Sequence, residues 1–402
     1  MRQWYIGGAV LAAVVAVGWP SAARAQEGGP QVPLNADPVI PIPTGQAGQP
    51  GFYAGAEYVM LFQTKAIGPQ VIAIRGFNDA TGVITGVPGT FIGSGAPALA
   101  SNDLGGGSSG MPGFRAEIGY KFDTGTRIYL NYMQTYKATY SAGATLATQG
   151  FKSDPQLADT FLSSPVYNFN PAFSGPAQKT AFDTAATGFS AYGIWNGASS
   201  MDVKFSQRFQ EAELGMRTPL FATDYSSIYA MSGGRFAWFF ERFTWRTQDL
   251  DTATNAVATP TNVGYYTNTL SQRMYGLFVG IGHEVYLGNM FSASLDLTAA
   301  GLLNIVKERD KYELGSTSAY NGTESKYGNT LYTPVPSGTA EFNLWFYPVE
   351  GVQLRVGYQA QTYFLTRYMK DPIGFNYGNI DPQYGTKFFR LVQGINVGVG
   401  FF

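Results

Sequence analysis

Cysteine is absent from all 402 residues, and histidine occurs once, as His283. The first absence removes disulfides as a source of stability and excludes a lipid-modified N-terminal Cys. The second leaves a single candidate for any chemistry that needs an imidazole. Charge is scarce as well: Asp, Glu, Lys and Arg make up 13% of the chain, against about 25% in a soluble domain. No apolar run approaches the ~20 residues that a membrane-spanning helix requires. A chain with these deficits enters a membrane only as a closed β-barrel, because hydrocarbon offers no water to unpaired backbone groups.

What is abundant fits that route. Aromatic residues reach 15%, and there are 50 glycines, as expected of a barrel with lipid outside and aromatic belts at its ends. Arg2, an apolar run from Ile6 to Val17, Pro20 and Ala23-Arg24-Ala25 form the pattern of a signal peptide over residues 1–25. Without Arg2 and Arg24, 24 Lys and Arg face 27 Asp and Glu, a near-neutral balance that argues against nucleic acid as a partner. Residues 26–51 are rich in Pro, Gly and Gln without periodicity and read as an extended periplasmic linker. The barrel is expected over 52–402.

From there the chain alternates with period two. The final stretch, FFRLVQGINVGVGFF, places Leu391, Ile395, Val397, Val399 and Phe401 on one face. Arg390, Gly394, Asn396, Gly398 and Gly400 fall on the other. Such strands are expected near 52–63, 112–122, 126–137, 203–217, 226–242, 270–285, 291–306, 339–347, 351–364 and at the C-terminus. Tight turns are read at Asp123-Thr124-Gly125, Thr218-Pro219-Leu220, Leu287-Gly288-Asn289 and Pro348-Val349-Glu350-Gly351, alternating with long loops such as Arg367 to Thr386. An extended piece at Val71 to Ile74 could add a strand. The pattern predicts an all-β fold, a transmembrane up-and-down antiparallel barrel of about ten strands, with eight to twelve open. Its short turns would be periplasmic and its long loops extracellular.

Parity also assigns facing. Phe114, Ala116, Ile118, Tyr120 and Phe122 alternate with Arg115, Glu117, Gly119 and Lys121, giving a lipid face and a lumen face. The charges expected to face the lumen are Glu57, Arg115, Glu117, Arg127, Glu211, Glu213, Arg235, Glu241, Asp296, Glu341, Arg355 and Arg390. In a narrow barrel they either pair and fill the interior or line a pore. By height along the strands, Tyr120, Phe122, Tyr286, Phe346 and Tyr347 should form the periplasmic belt, and Phe62, Tyr136, Phe240, Trp245 and Tyr363 the outer one.

Signals for catalysis or cofactors are weak. His283 beside Glu284 has no second His at metalloprotease spacing and lies near a short turn. GGGSSG, 105–110, matches G-x-G-x-x-G by letter but lacks the strand before and helix after that phosphate binding needs. Asp249, Asp251 and Asn255 lack the Gly turn and distal Glu of a calcium loop. The mixed-sign run KERDKYE, 307–313, sits at an extracellular strand end and reads as a solvated edge or a contact to anionic lipid headgroups. No enzyme activity, cofactor or metal is expected.

The blocks FYAGAEYVMLF (52–62), MPGFRAEIGYKFDTGTRIYLNYM (111–133), FQEAELGMR (209–217), GGRFAWFFERFTWR (233–246) and the terminal strand resemble a family of β-barrel porins from planctomycete-type bacteria. The resemblance implies an exported outer-membrane barrel and carries no catalytic residues. The terminal aromatic residue is similar to the signal read by the barrel-assembly machinery. The expected partners are that machinery, outer-membrane lipids and small solutes. Three functions compete: a narrow channel or structural surface barrel, a receptor or adhesin using the long loops, and an outer-membrane enzyme.

Overall fold

The computed structural model describes residues 50–401 except 80–81, 83–84, 107–109, 146–160, 169–193, 224, 249–262, 289, 316–323 and 350. The expected signal peptide, nearly all of the linker, and Asp249, Asp251 and Asn255 lie outside the described residues.

Sixteen strands follow in order. They are β1 Gly51–Gln63, β2 Val71–Arg75, β3 Phe77–Asp79, β4 Thr90–Ile92, β5 Pro97–Ala100, β6 Gly110–Lys121, β7 Arg127–Thr135 and β8 Ala138–Thr145. Then come β9 Leu162–Ser163, β10 Ser200–Ala222, β11 Ser226–Gln248, β12 Val263–Tyr286, β13 Phe291–Leu314, β14 Glu324–Val349, β15 Val352–Asp371 and β16 Gln383–Phe401. The large sheet runs β1-β6-β7-β10-β11-β12-β13-β14-β15-β16, every pair antiparallel, and β16 returns to β1. β8 continues the position of β7, for β10 pairs with β7 through Gln210–Arg217 and with β8 through Ser200–Gln207. The ring therefore has ten positions, as the alternation predicts.

Outside the ring, exposed apolar residues form a continuous band. On β13 it comprises Phe291, Leu295, Leu297 and Leu303; on β16, Ile395, Val397 and Phe401; on β6, Phe114 and Ile118. Between these, Arg115, Asp296, Arg390 and Asn396 are buried. Apolar outside and polar inside is the surface of a barrel solvated by lipid. On β13 the band runs from Phe291 to Leu303, long enough for the ~9–11 residues that cross a bilayer with tilt.

Several strands exceed that length. β13 runs to Leu314 and β14 begins at Glu324, where 306 and 339 had been the expected limits. Beyond the lipid the outer face need not be apolar, so the alternation fades while the hydrogen-bonded ladder continues. Thr218-Pro219-Leu220 is not a turn. β10 passes through it with a register irregularity between Pro219 and Phe221 and ends at Ala222, and β11 starts at Ser226, whose N–H donates to Thr223 Oγ1 at 3.0 Å. Gly125, Gly288 and Gly351 have positive φ near the other expected turns, although β14 continues through Pro348 to Val349, which pairs with Val352, and Asn289 and Glu350 lie outside the described residues. The region expected as a loop over 367–386 is partly strand, as β15 and β16 extend into it.

The belt at the short-turn end holds Tyr120, Phe122 and Phe346, with Phe52 packing edge-on against Tyr120 at 5.0 Å and Phe291 stacked on Phe346 at 4.9 Å. Tyr347, Trp245 and Tyr363 are corrections: all three are buried inside the ring. Height had placed them in the belts, but each is out of phase with the lipid-facing residues of its own strand. At the outer end, β2 pairs with β5 and β9 in a small sheet rather than adding to the barrel, and its Ile72, Ala73 and Leu99 join the same buried cluster as Val203 and Phe205.

The facing assignment makes a graded prediction. Arg at the lipid midplane costs about 2–4 kcal/mol and falls to about 0–1 near the interface. Val356 faces lipid near the middle of the band, Leu354 faces it near the periplasmic end, and Gln353 lines an interior cavity. Folded yield in liposomes, read by heat-modifiable gel migration, should fall most for Val356→Arg, less for Leu354→Arg and least for Gln353→Arg.

Candidate functional site in the barrel lumen

Charged residues on neighbouring strands share the inward parity, so the register decides which of them meet. Glu57 of β1 lies opposite Arg115 of β6 on one side and Gly398 of β16 on the other, and Gly398 lies opposite Arg355 of β15. A Cβ at Gly398 would collide with Glu57 Cγ and come within 2.5 Å of the Ala56 carbonyl oxygen. Its absence opens a gap through which Glu57 reaches Arg355. Arg115 Nη1 donates to Glu341 Oε1 at 2.8 Å and to Glu57 Oε2 at 3.4 Å. Asn396 Nδ2 adds a bond to Glu57 Oε2 at 3.2 Å, and Arg355 stands 3.7 Å from Glu341. Two arginines and two glutamates thus form a neutral quartet.

A second group is built on β10 and β11, where Glu213 lies opposite Arg235. Arg235 Nε donates to Glu213 and lies 3.3 Å from Glu211. Its Nη1 and Nη2 reach Thr339 at 3.0 Å and Thr298 at 2.9 Å, while Gln361 Nε2 donates to Glu211 Oε2 at 2.6 Å. Nε, Nη1 and Nη2 of Arg235 thus all have acceptors, as a charge away from water requires. Nearer the periplasm, Arg217 lies 3.6 Å from Asp296, which accepts from the Tyr229 hydroxyl at 2.5 Å. Arg217 was not among the residues expected here, because the apparent turn at 218–220 had put it at the rim.

Glu117 and Arg127 face inward as expected but are not ion-paired to each other. Across the register, Glu117 meets Gly55 and Asn131 rather than a cation, and it takes a hydrogen bond from Tyr53. Both residues line a vestibule of about 100 Å³ at the short-turn end, along with Glu57, Arg217 and Arg355. A smaller cavity of about 40 Å³ lies deeper, between the quartet and Arg235.

Toward the long-loop end the interior changes character. Arg390 of β16 and Glu241 of β11 stand on strands that are not neighbours, so their pair crosses the lumen. Both side chains are fully buried; the pairing is bidentate, with one branch at 3.0 Å. Arg390 also donates to Thr366 Oγ1 at 3.2 Å and to the Arg367 carbonyl at 2.6 Å, and lies over the Phe239 ring at 5.0 Å. Phe205, Phe209, Phe239, Phe243 and Tyr363 fill the surrounding space without exposure.

Above this layer the loop between β15 and β16 folds inward. The Ile373 carbonyl accepts from Gln70 and the Gly374 carbonyl from Tyr312, while Pro372 takes bonds from Tyr266 at 2.9 Å and Asn268 at 2.8 Å. Asp310 lies within reach of the Tyr266 and Tyr384 hydroxyls, at 3.1 and 3.2 Å. Each hydroxyl carries one proton, and Pro372 O and Asn268 Oδ1 are the nearer acceptors. A neutral Asp310 supplies the missing donor, and burial accordingly pushes its carboxyl up to about 8.

His283, the sole imidazole, faces outward and is exposed near the end of β12. Among the described residues no group of His, Cys, Asp and Glu is arranged to hold a metal ion. No protein-family model matches the chain, and no curated protein does. Among solved structures it is similar to the outer membrane protease OmpT of Escherichia coli, with 9% identity, 87% of this chain and 96% of that chain covered, and a TM-score of 0.36. It is also similar to a FadL homologue of Pseudomonas aeruginosa, with 7% identity, coverage of 89% and 91%, and a TM-score of 0.23. For the toluene transporter TodX of Pseudomonas putida the figures are 8%, 90% and 92%, and 0.18. No activity follows from scores of this size.

The lumen makes two testable statements. Removing one partner of a buried pair leaves the other charge without compensation, at about 3–5 kcal/mol. Glu241→Ala should lower unfolding stability by that order, and the double variant Glu241→Leu, Arg390→Met should lose distinctly less, as read by urea unfolding of the reconstituted barrel. Asp310 generates the second. The folded chain holds its proton to about pH 8, whereas the unfolded chain releases it near about 3.9. Between these values the folded state binds more protons, so stability falls as pH rises and this contribution is gone above about 8. Asp310→Asn should flatten the decline in melting temperature across that window; equal slopes for both proteins would contradict the assignment.

Proposed function

We propose that the chain is an integral outer-membrane barrel with a closed lumen, acting as a structural surface protein of the envelope rather than as an open porin. The buried Arg390–Glu241 pair carries this reading. It crosses the interior, is enclosed by aromatic rings, and has an inward-folded loop above it. Ions would have to break a desolvated salt bridge to pass. In the charged layer below it the Glu57, Arg115, Glu341 and Arg355 quartet is neutral and Arg235 is held by two glutamates, and the vestibule ends against that layer.

The outer apolar band supports the membrane location, and the alternation of β16 up to Phe401 supports delivery by the barrel-assembly machinery. The resemblance to planctomycete-type porins belongs to this proposal as a likeness of barrel, without a solute. The reading is non-enzymatic: Glu57, Glu213, Glu241 and Glu341 are engaged by arginines, and the sole histidine points to the outside.

Single-channel recording tests it. The wild-type barrel in planar bilayers should show little or no stepwise conductance, and the double variant Arg390→Ala, Glu241→Ala should raise the frequency of openings. Large, stable steps from the wild type would overturn the closed-lumen reading and favour a porin.

A further inference from the structure

The mixed-sign run KERDKYE is sorted by the strand that carries it. On β13 the inward residues Glu308 and Asp310 are buried, the first paired with Arg367 at 3.3 Å and the second placed among tyrosine hydroxyls. Lys307, Arg309 and Lys311 share the opposite parity, that of Leu303 and Ile305 in the apolar band. The outer face of β13 therefore passes in one step from hydrocarbon to a row of cations.

The register carries this row around the barrel. Going from β13 to β12, β11 and β10, the rung through Lys307 ends at Arg208, and the rung through Arg309 meets Arg242. The rung through Lys311 ends at Lys204. At about 4.8 Å per strand, Lys307 and Arg208 lie about 14 Å apart and Arg309 and Arg242 about 10 Å apart, with outward rungs about 6.8 Å apart, so the cations form an open grid across this face. Lys137, beyond the end of β7, belongs to the same patch. Burial, followed by the nearby charges of Lys204, Arg242 and Arg208, holds its ammonium below the usual lysine value.

The inner edge of the grid is seated on the aromatic belt. Arg208 lies over Trp238 at 4.8 Å, Arg273 over the same ring at 5.3 Å, and Arg242 over Phe240 at 5.4 Å. Outward acids are few. Glu313 and Glu324 are taken by Lys311 and Lys326, and Asp202 lies opposite Arg246. Among the described residues no carboxylate comes within 4.0 Å of Arg208, Arg242, Arg273, Lys307 or Arg309, and the buried Arg208 Nε meets no acceptor.

We propose that this face of β10–β13 binds phosphate-bearing anionic lipid of the outer leaflet, with the headgroup phosphates on the cation grid and the acyl chains against the apolar band below. The inference rests on the membrane placement proposed above. Guanidinium forks match phosphate oxygens in geometry and charge, and a one-sign patch at the headgroup level draws anionic lipid within a Debye length.

The test uses the full chain reconstituted in phosphatidylcholine vesicles with and without phosphatidylglycerol, and native mass spectrometry to count retained lipid. The wild type should retain phosphatidylglycerol selectively and lose the preference at high salt. The variant Arg208→Gln, Arg242→Gln, Arg309→Gln should bind roughly a hundredfold more weakly, while Lys370→Gln with Lys387→Gln, placed on β15 and β16, should leave the preference intact. Inorganic phosphate that displaces the signal as effectively as the lipid would overturn a lipid ligand. Insertion of the wild type with no preference for phosphatidylglycerol overturns this proposal alone, and a wild-type chain that enters neither vesicle overturns the membrane placement along with it.

Discussion

A backbone in hydrocarbon cannot leave its polar groups unpaired, and in this protein that single constraint is met where β16 pairs with β1. Once the sheet is closed, the period-two alternation has only two destinations, lipid and lumen. Ten strand positions give a ring too narrow for its inward side chains to avoid one another. The interior must then be settled by pairing, and the register determines the pairs.

Two solutions are stacked in the same lumen. In the half that ends at the short turns, charges are abundant: the Glu57, Arg115, Glu341 and Arg355 quartet is neutral, Arg235 sits between two glutamates, and among the described residues Glu117 and Arg127 have no ion-pair partner within 4.0 Å. In the outer half, the packing is apolar and aromatic, with the Arg390–Glu241 pair as its buried charges at that level. The second arrangement tolerates its ion pair because every donor of Arg390 has an acceptor or a ring face. A loop laid across the mouth completes the closure.

Facing was legible in the sequence because it depends on parity alone. Residues such as Phe114, Arg115, Leu354 and Arg355 stand on the sides that alternation assigns them. Partnership was not legible, since Arg390 and Glu241 meet across the barrel and no local pattern encodes which strands face each other. Trp245, Tyr347 and Tyr363 were misplaced by using height where parity pointed inward. Arg217 was hidden by Pro219, whose turn-like neighbourhood is in fact an irregularity within β10. The outer halves of β13 and β14 escaped because their exteriors are bathed by water rather than lipid, which erases the hydrophobic period but not the ladder. Gln361, Thr298 and Thr339 escaped because an uncharged polar residue on the inward face looks the same whether or not it receives an arginine.

The gap at Gly398 has a consequence for assembly. Before β16 docks on β1, Glu57 has Arg115 on its own side of the seam, and Glu341 has Arg355 on the other, two neutral pairs on separate edges. Docking in the native register sets Gly398 between Glu57 and Arg355, and the halves merge into one network. A slip of a single residue would exchange the two faces of β16, putting Val397 or Val399 in the gap and an isopropyl group between the charges. The quartet therefore acts as a check on alignment at the moment of closure: the seam becomes electrostatically complete only when the strand carrying the C-terminal aromatic residues has been read in the right frame.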